Sequence, residues 1–129
     1  MTRILVVDDS EEFRRSLRAV LADAVADLAV AEASRAGEAL ELLAREPWDV
    51  VLLDLSLPDR SGIETLRDIR RLRPALPVLV MSFHTEAEYT FAARAAGAAG
   101  YLPKGSAAGV IAAAIQNALA TGARPTVSS

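Results

Sequence analysis

Short runs of consecutive aliphatic residues alternate along the chain with longer stretches whose apolar residues recur every three or four positions. The short runs, residues 4–7, 28–33, 50–53, 78–81 and 99–102, predict five strands. Val50-Val51-Leu52-Leu53 is aliphatic throughout, as in a central parallel strand covered on both faces. Between the first two runs, residues 10–24 place Phe13, Leu17, Val20, Leu21 and Ala24 on one face of a helix. Ser34 is expected to cap a second helix that carries Leu40 and Leu43 and ends before Pro47. A turn over residues 58–61 opens a third helix, in which Ser61 and Glu64 match a capping box and Ile63, Leu66, Ile69 and Leu72 follow. Pro74 and Pro77 punctuate the next loop. Thr85 with Glu88 is a second capping box, for a helix reaching about Ala96 with Gly97 to terminate it. Ser106 is expected to cap a last helix running to Ala120, stopped by Gly122, with Val110, Ile111, Ile115 and Leu119 as its core stripe.

Strict alternation of strand and helix implies parallel strands joined by right-handed crossovers. The predicted fold is therefore α/β, a doubly wound five-stranded sheet with helices on both faces. One domain spans residues 1–122, and residues 123–129 read as a flexible tail or the start of a linker.

Composition narrows the picture. The 129 residues are 52% hydrophobic and 24% charged, which suits one globular domain and excludes disorder. With no cysteine, neither a disulfide framework nor a thiolate metal site is possible, and a cytoplasmic location is expected. The 14 basic residues are outnumbered by 17 acidic ones, so direct nucleic-acid binding is not expected. No apolar run approaches the length of a membrane span, and the first residues read as a strand, not a signal peptide.

The informative residues stand at the carboxyl ends of the strands, where open parallel sheets bind ligands. Strand one ends in Asp8-Asp9, strand three in Asp54, strand four in Ser82, and Lys104 follows strand five. Each alone has a plain structural reading. An acidic pair before a helix is often its N-cap, a single Asp after a strand is often a turn residue, and a loop lysine is usually solvated. All five at successive strand ends are harder to explain that way. Three carboxylates in one pocket repel one another and call for a cation, for which hard oxygen ligands suit Mg²⁺. A lysine and a hydroxyl beside them complete what phosphoryl transfer to a carboxylate needs.

The segments I-L-V-V-D-D-S, V-V-L-L-D-L-S-L-P-D-R-S-G, V-L-V-M-S-F-H and G-A-A-G-Y-L-P-K resemble the CheY-like receiver domain of two-component response regulators. The likeness covers residues 3–121, and the motifs are most similar to the LuxR/NarL-type branch. The resemblance implies a flavodoxin/CheY-like sheet of order 2-1-3-4-5. It makes Asp54 the phosphorylated residue. It gives Mg²⁺ to Asp9, Asp54 and the main-chain carbonyl of Ser56 directly, and to Asp8 through water. It assigns Lys104 to the phosphoryl group, Ser82 as the switch hydroxyl and Tyr101 as the switch aromatic. It also implies a sensor histidine kinase as partner, and a DNA-binding domain beyond residue 129 controlling transcription. A stand-alone receiver is the alternative. Gly105 replaces the proline that often follows the lysine in this family, and bulky Phe83 stands where a small residue is frequent. His84 is expected at an exposed loop rim and Trp48 in a packing role.

Between Ala95 and Ala123 the only charged residue is Lys104, so the outer face of the last helix is a candidate partner surface, including for a homodimer. An enzyme is not expected. A phosphatase with an Asp nucleophile normally carries a second acid two residues on, where this chain has Ser56. A nucleotide- or flavin-binding domain would need a glycine- or hydroxyl-rich loop after strand one, where this chain has Asp8-Asp9-Ser10-Glu11-Glu12. A degenerate receiver that only binds would not need Asp9, Asp54 and Lys104 together.

Overall fold

The computed structural model describes residues 1–83 and 87–122. Strand and helix alternate as β1 (Thr2–Val7), α1 (Glu11–Ala24), β2 (Leu28–Ala33), α2 (Ala36–Arg45), β3 (Val50–Asp54), α3 (Gly62–Leu72), β4 (Val78–Ser82), α4 (Ala87–Ala95), β5 (Gly100–Pro103) and α5 (Ala108–Gly122). The sheet order is β2-β1-β3-β4-β5, and every pairing is parallel. The expected doubly wound fold is the observed one.

Successive side chains of a strand point to opposite faces, and this divides the core in two. Ile4, Val6, Leu52 and Met81 meet Leu17 and Leu21 of α1 and Ile111, Ile115 and Ala118 of α5. Leu5, Val7, Leu53 and Val80 meet Leu43 of α2, Leu66 and Ile69 of α3 and Ala93 of α4 on the other face. Both faces of β1, β3 and β4 are thus filled, which is why these strands are continuous aliphatic runs. Trp48 packs on the second cluster and donates its indole N–H to the Leu42 carbonyl, with Arg3 over its ring.

Three helix details differ from the sequence expectation. Ser34 does not cap α2: its hydroxyl and N–H both bond Glu38, and the cap position falls to Arg35, whose side chain makes no cap bond. The cap comes from the β3–α3 loop instead. Asp59 accepts the N–H groups of Ala36 and Gly37 at 2.9 and 3.0 Å, and these bonds, Ala36 first, hold its carboxyl below the usual range. Ser106 does not cap α5; its hydroxyl donates to the Pro103 carbonyl, and the helix opens at Ala108. Val110 is 51% exposed, so the α5 core stripe is Ile111, Ile115 and Ala118, with Leu119 at its edge. Ser61 does cap α3, accepting from the Glu64 N–H. His84, Thr85 and residues 123–129 lie outside the described residues, as do the expectations for the Thr85 cap, the His84 rim position and the tail.

Candidate functional site

The carboxyl ends of β1, β3, β4 and β5 gather the predicted residues on one rim. Asp8 and Asp54 are buried, Ser82 is buried at the end of β4, and Asp9 is exposed. Ligand oxygens of Asp8, Asp9 and Asp54 all lie within 4.8 Å of one another. Lys104 reaches across them, its Nζ 2.7 Å from Asp8 Oδ2 and 3.3 Å from Asp54 Oδ2, with only 6% of its side chain exposed. Tyr101 is half-buried on β5, packed at the edge of the second core cluster. Phe83, the bulky residue where the family often has a small one, is 77% exposed.

Local structure explains why these side chains are held. Asp8 Oδ1 accepts the Ser10 N–H at 2.8 Å, and Asp54 Oδ1 accepts the Ser56 N–H at 3.0 Å, so each acid is tied to its own loop. Ser56 bridges back to Ser61, closing the loop that leads into α3. The β1–α1 loop is clamped from α1. Arg14 Nη1 donates to the Asp8 carbonyl at 2.6 Å, and its Nε pairs with Glu32 of β2 at 2.7 Å. Arg18, then Arg14, hold the Glu32 carboxyl below its usual range. Sequence reading passed over Arg14, Glu32 and Asp59, because each acts on a backbone group or partner brought near only by the fold.

The electrostatics of the rim are unbalanced. Burial pushes the Asp54 carboxyl up, the Ser56 N–H pulls it down, Asp8 pushes it up again, and Lys104 offsets part of the rise. Three clustered acids against one ammonium are a donor set that fits a hard divalent cation. An acid raised on folding favours the folded state most when protonated. Its contribution is full below the unfolded value of 3.8 and is lost as pH rises through the folded one. In metal-free buffer at pH 7, Asp54→Asn should therefore raise Tm by about 3–5 °C, or about 1 kcal/mol. The gain should shrink on acidification. Thermal unfolding checks this, and a less stable variant at pH 7 would show that the ionised carboxylate is not a burden on the fold.

Comparison with known proteins supplies the rest. The family described as the response regulator receiver domain matches residues 4–116. The transcriptional activator protein ExaE of Pseudomonas putida is 39% identical over 117 residues, which cover 91% of this chain and 55% of that protein. The chain spans about half the length of the curated relatives it matches. A LuxR-family two-component response regulator from Aurantimonas sp. SI85-9A1 superposes with a TM-score of 0.85 at 36% identity, covering 93% of this chain and 86% of that one. A response regulator from Burkholderia pseudomallei, solved with a phosphorylated aspartic acid, calcium ion and citrate, gives a TM-score of 0.81 at 31% identity. It covers 95% of this chain and 72% of that one.

Proposed function

The chain belongs to the response regulator receiver domain family, and from that premise we propose that it is a phospho-acceptor switch in which Asp54 takes a phosphoryl group from a sensor histidine kinase. The observation that carries the reading is the placement of Lys104 Nζ between Asp8 and Asp54 on an acidic rim. An oxygen of Asp54 attacks phosphorus, the bond from phosphorus to the donor's imidazole nitrogen breaks, and the ring leaves with the electron pair. Lys104 faces the transferred oxygens as a point charge, and Ser82 supplies a hydroxyl from the end of the next strand. Asp9, Asp54 and the Ser56 carbonyl would hold Mg²⁺ directly and Asp8 through water; the ion would offset the negative charge brought together by donor and acceptor. The phosphorylated aspartate and calcium ion of the Burkholderia relative support this reading. The domain is the acceptor of the phosphoryl group it takes from the donor, and the phosphatase reading lacks a second acid where Ser56 stands.

Phosphorylation replaces the single carboxylate charge of Asp54 by the about −1.5 to −2 of a phosphoryl group, a net gain of up to about one negative charge at the strand ends, and favours one of two packings already available. Ser82 moves toward the phosphoryl group and Tyr101 turns inward behind it. The output is transcriptional, as in the relatives, through a DNA-binding domain elsewhere in a longer cytoplasmic regulator. No described helix is long and apolar enough to cross a membrane.

Acetyl phosphate with Mg²⁺ should load one phosphoryl group, chelation should prevent it, and Asp9→Ala should abolish Mg²⁺ binding. Amide shifts are the readout for the metal; Trp48 fluorescence is not, because Trp48 precedes β3 and stands at the opposite end of the sheet from Asp54. Unchanged Mg²⁺ affinity in Asp9→Ala would remove that residue from the site. The uncharged face of α5 is the proposed contact surface, including for a homodimer. Ala113 is exposed there while Ala114 packs against the core, so Ala113→Glu is the informative change. With a beryllofluoride mimic it should weaken self-association in sedimentation while leaving phosphorylation intact. Normal association in this variant would place the surface elsewhere.

A further inference from the structure

Resting on the reading of Asp54 as acceptor, we propose that Phe13 is a positioning residue for Lys104, its ring face holding the ammonium against the acidic rim. The ammonium is almost wholly withdrawn from water, and an unsolvated cation needs compensation on every side. Asp8 at 2.7 Å and Asp54 at 3.3 Å face two of its three N–H groups. Among the described residues two aromatic rings also face it, Phe13 with its centroid 4.5 Å from Nζ and Phe83 at 5.3 Å. A ring face attracts a cation without offering a lone pair, so it steadies the ammonium and leaves its N–H groups free to turn to a phosphoryl oxygen.

The two rings are not equivalent. Phe83 is 77% exposed, so water competes with its face. Phe13 is half-buried and packs on the core cluster beneath α1 and α5, which fixes its ring. A cleft of about 300 Å³ opens beside the ammonium, lined by Ser10, Glu12, Phe13, Ser16, Phe83 and Lys104. Without the Phe13 ring, water and the Glu12 carboxylate have access to Nζ from that cleft and draw it away from the position the phosphoryl group requires.

Phe13→Leu keeps an apolar side chain of similar bulk and removes the ring; Phe13→Tyr keeps the ring. With phosphoramidate and Mg²⁺, followed by intact-mass spectrometry, the rate at saturating donor should fall about threefold to tenfold in Phe13→Leu and stay within about twofold in Phe13→Tyr. The donor concentration for half-maximal rate should change less than the rate. The Lys104 ε-methylene protons should carry a ring-current shift in the parent chain and in Phe13→Tyr that falls in Phe13→Leu to the part contributed by Phe83. A wild-type rate in Phe13→Leu, or an equal loss in Phe13→Tyr, overturns the proposal. A parent chain that takes no phosphoryl group overturns the function on which it rests, whereas loss of rate confined to Phe13→Leu supports both.

Discussion

Replacing Lys104 by methionine should slow phosphoryl uptake at Asp54 by about tenfold to a hundredfold and lower the stability of the unmodified chain by about 3 kcal/mol. Both effects follow from one geometry. The ammonium is the cation set against two buried carboxylates, 2.7 and 3.3 Å away, and methionine keeps the length of the chain while deleting the charge. Asp8 and Asp54 are then left buried against each other, answered among the described residues by the Ser10 and Ser56 N–H groups. Removing one partner from a buried ion pair costs more than the pair itself contributes, because the survivor stays uncompensated. Lys104→Arg should restore little. A planar guanidinium needs more room than a site that leaves 6% of the lysine side chain exposed. Thermal unfolding and single-turnover phosphorylation read the two arms. A rate within threefold of the parent chain would show that Lys104 is not aimed at the transferred group.

The second large effect concerns the loop that carries Ser56. A Cβ added at Gly62 would stand 2.3 Å from both Cα and the carbonyl oxygen of Leu55. These are backbone atoms of the adjacent loop, with no flexible side chain to give way. Gly62→Ala should therefore cost about 3 kcal/mol or more and lower Tm by about 10 °C or more, displacing the Ser56–Ser61 bridge on the way. Gly109 is the control, because nothing lies within 4 Å of a Cβ there. Gly109→Ala, inside α5, should be neutral or stabilising by up to about 1 kcal/mol. Equal Tm values for the two variants would mean the Leu55 contact yields easily.

The sheet was legible in the chain because burial on both faces forces the central strands to be aliphatic without interruption, as in Val50 to Leu53. Once the strands were placed, parallel topology put Asp8, Asp9, Asp54, Ser82 and Lys104 on one rim. What escaped the sequence was contact between residues far apart in it. Asp59 caps α2 from 23 residues away, the role that local spacing assigns to Ser34. Phe13 looked like an ordinary member of an apolar stripe, and only the folded chain sets its ring over Lys104. Val110 is apolar yet falls off the i, i+4, i+7 row of Ile111, Ile115 and Ala118 that faces the sheet, so a small alanine takes the core place. Arg14 is one of several arginines in α1, and nothing local marks it as the one that grips the Asp8 carbonyl.

If Asp54 is the acceptor, the phosphoryl group must sit on it, and locating the adduct decides the matter. The chain and its Asp54→Asn variant are incubated with acetyl phosphate and Mg²⁺, then analysed by intact-mass spectrometry and peptide mapping. One acid-stable, alkali-labile phosphoryl group should appear on the peptide containing Asp54, and none in the variant or in samples without Mg²⁺. An adduct that persists in Asp54→Asn, or that maps to another residue, would contradict that assignment.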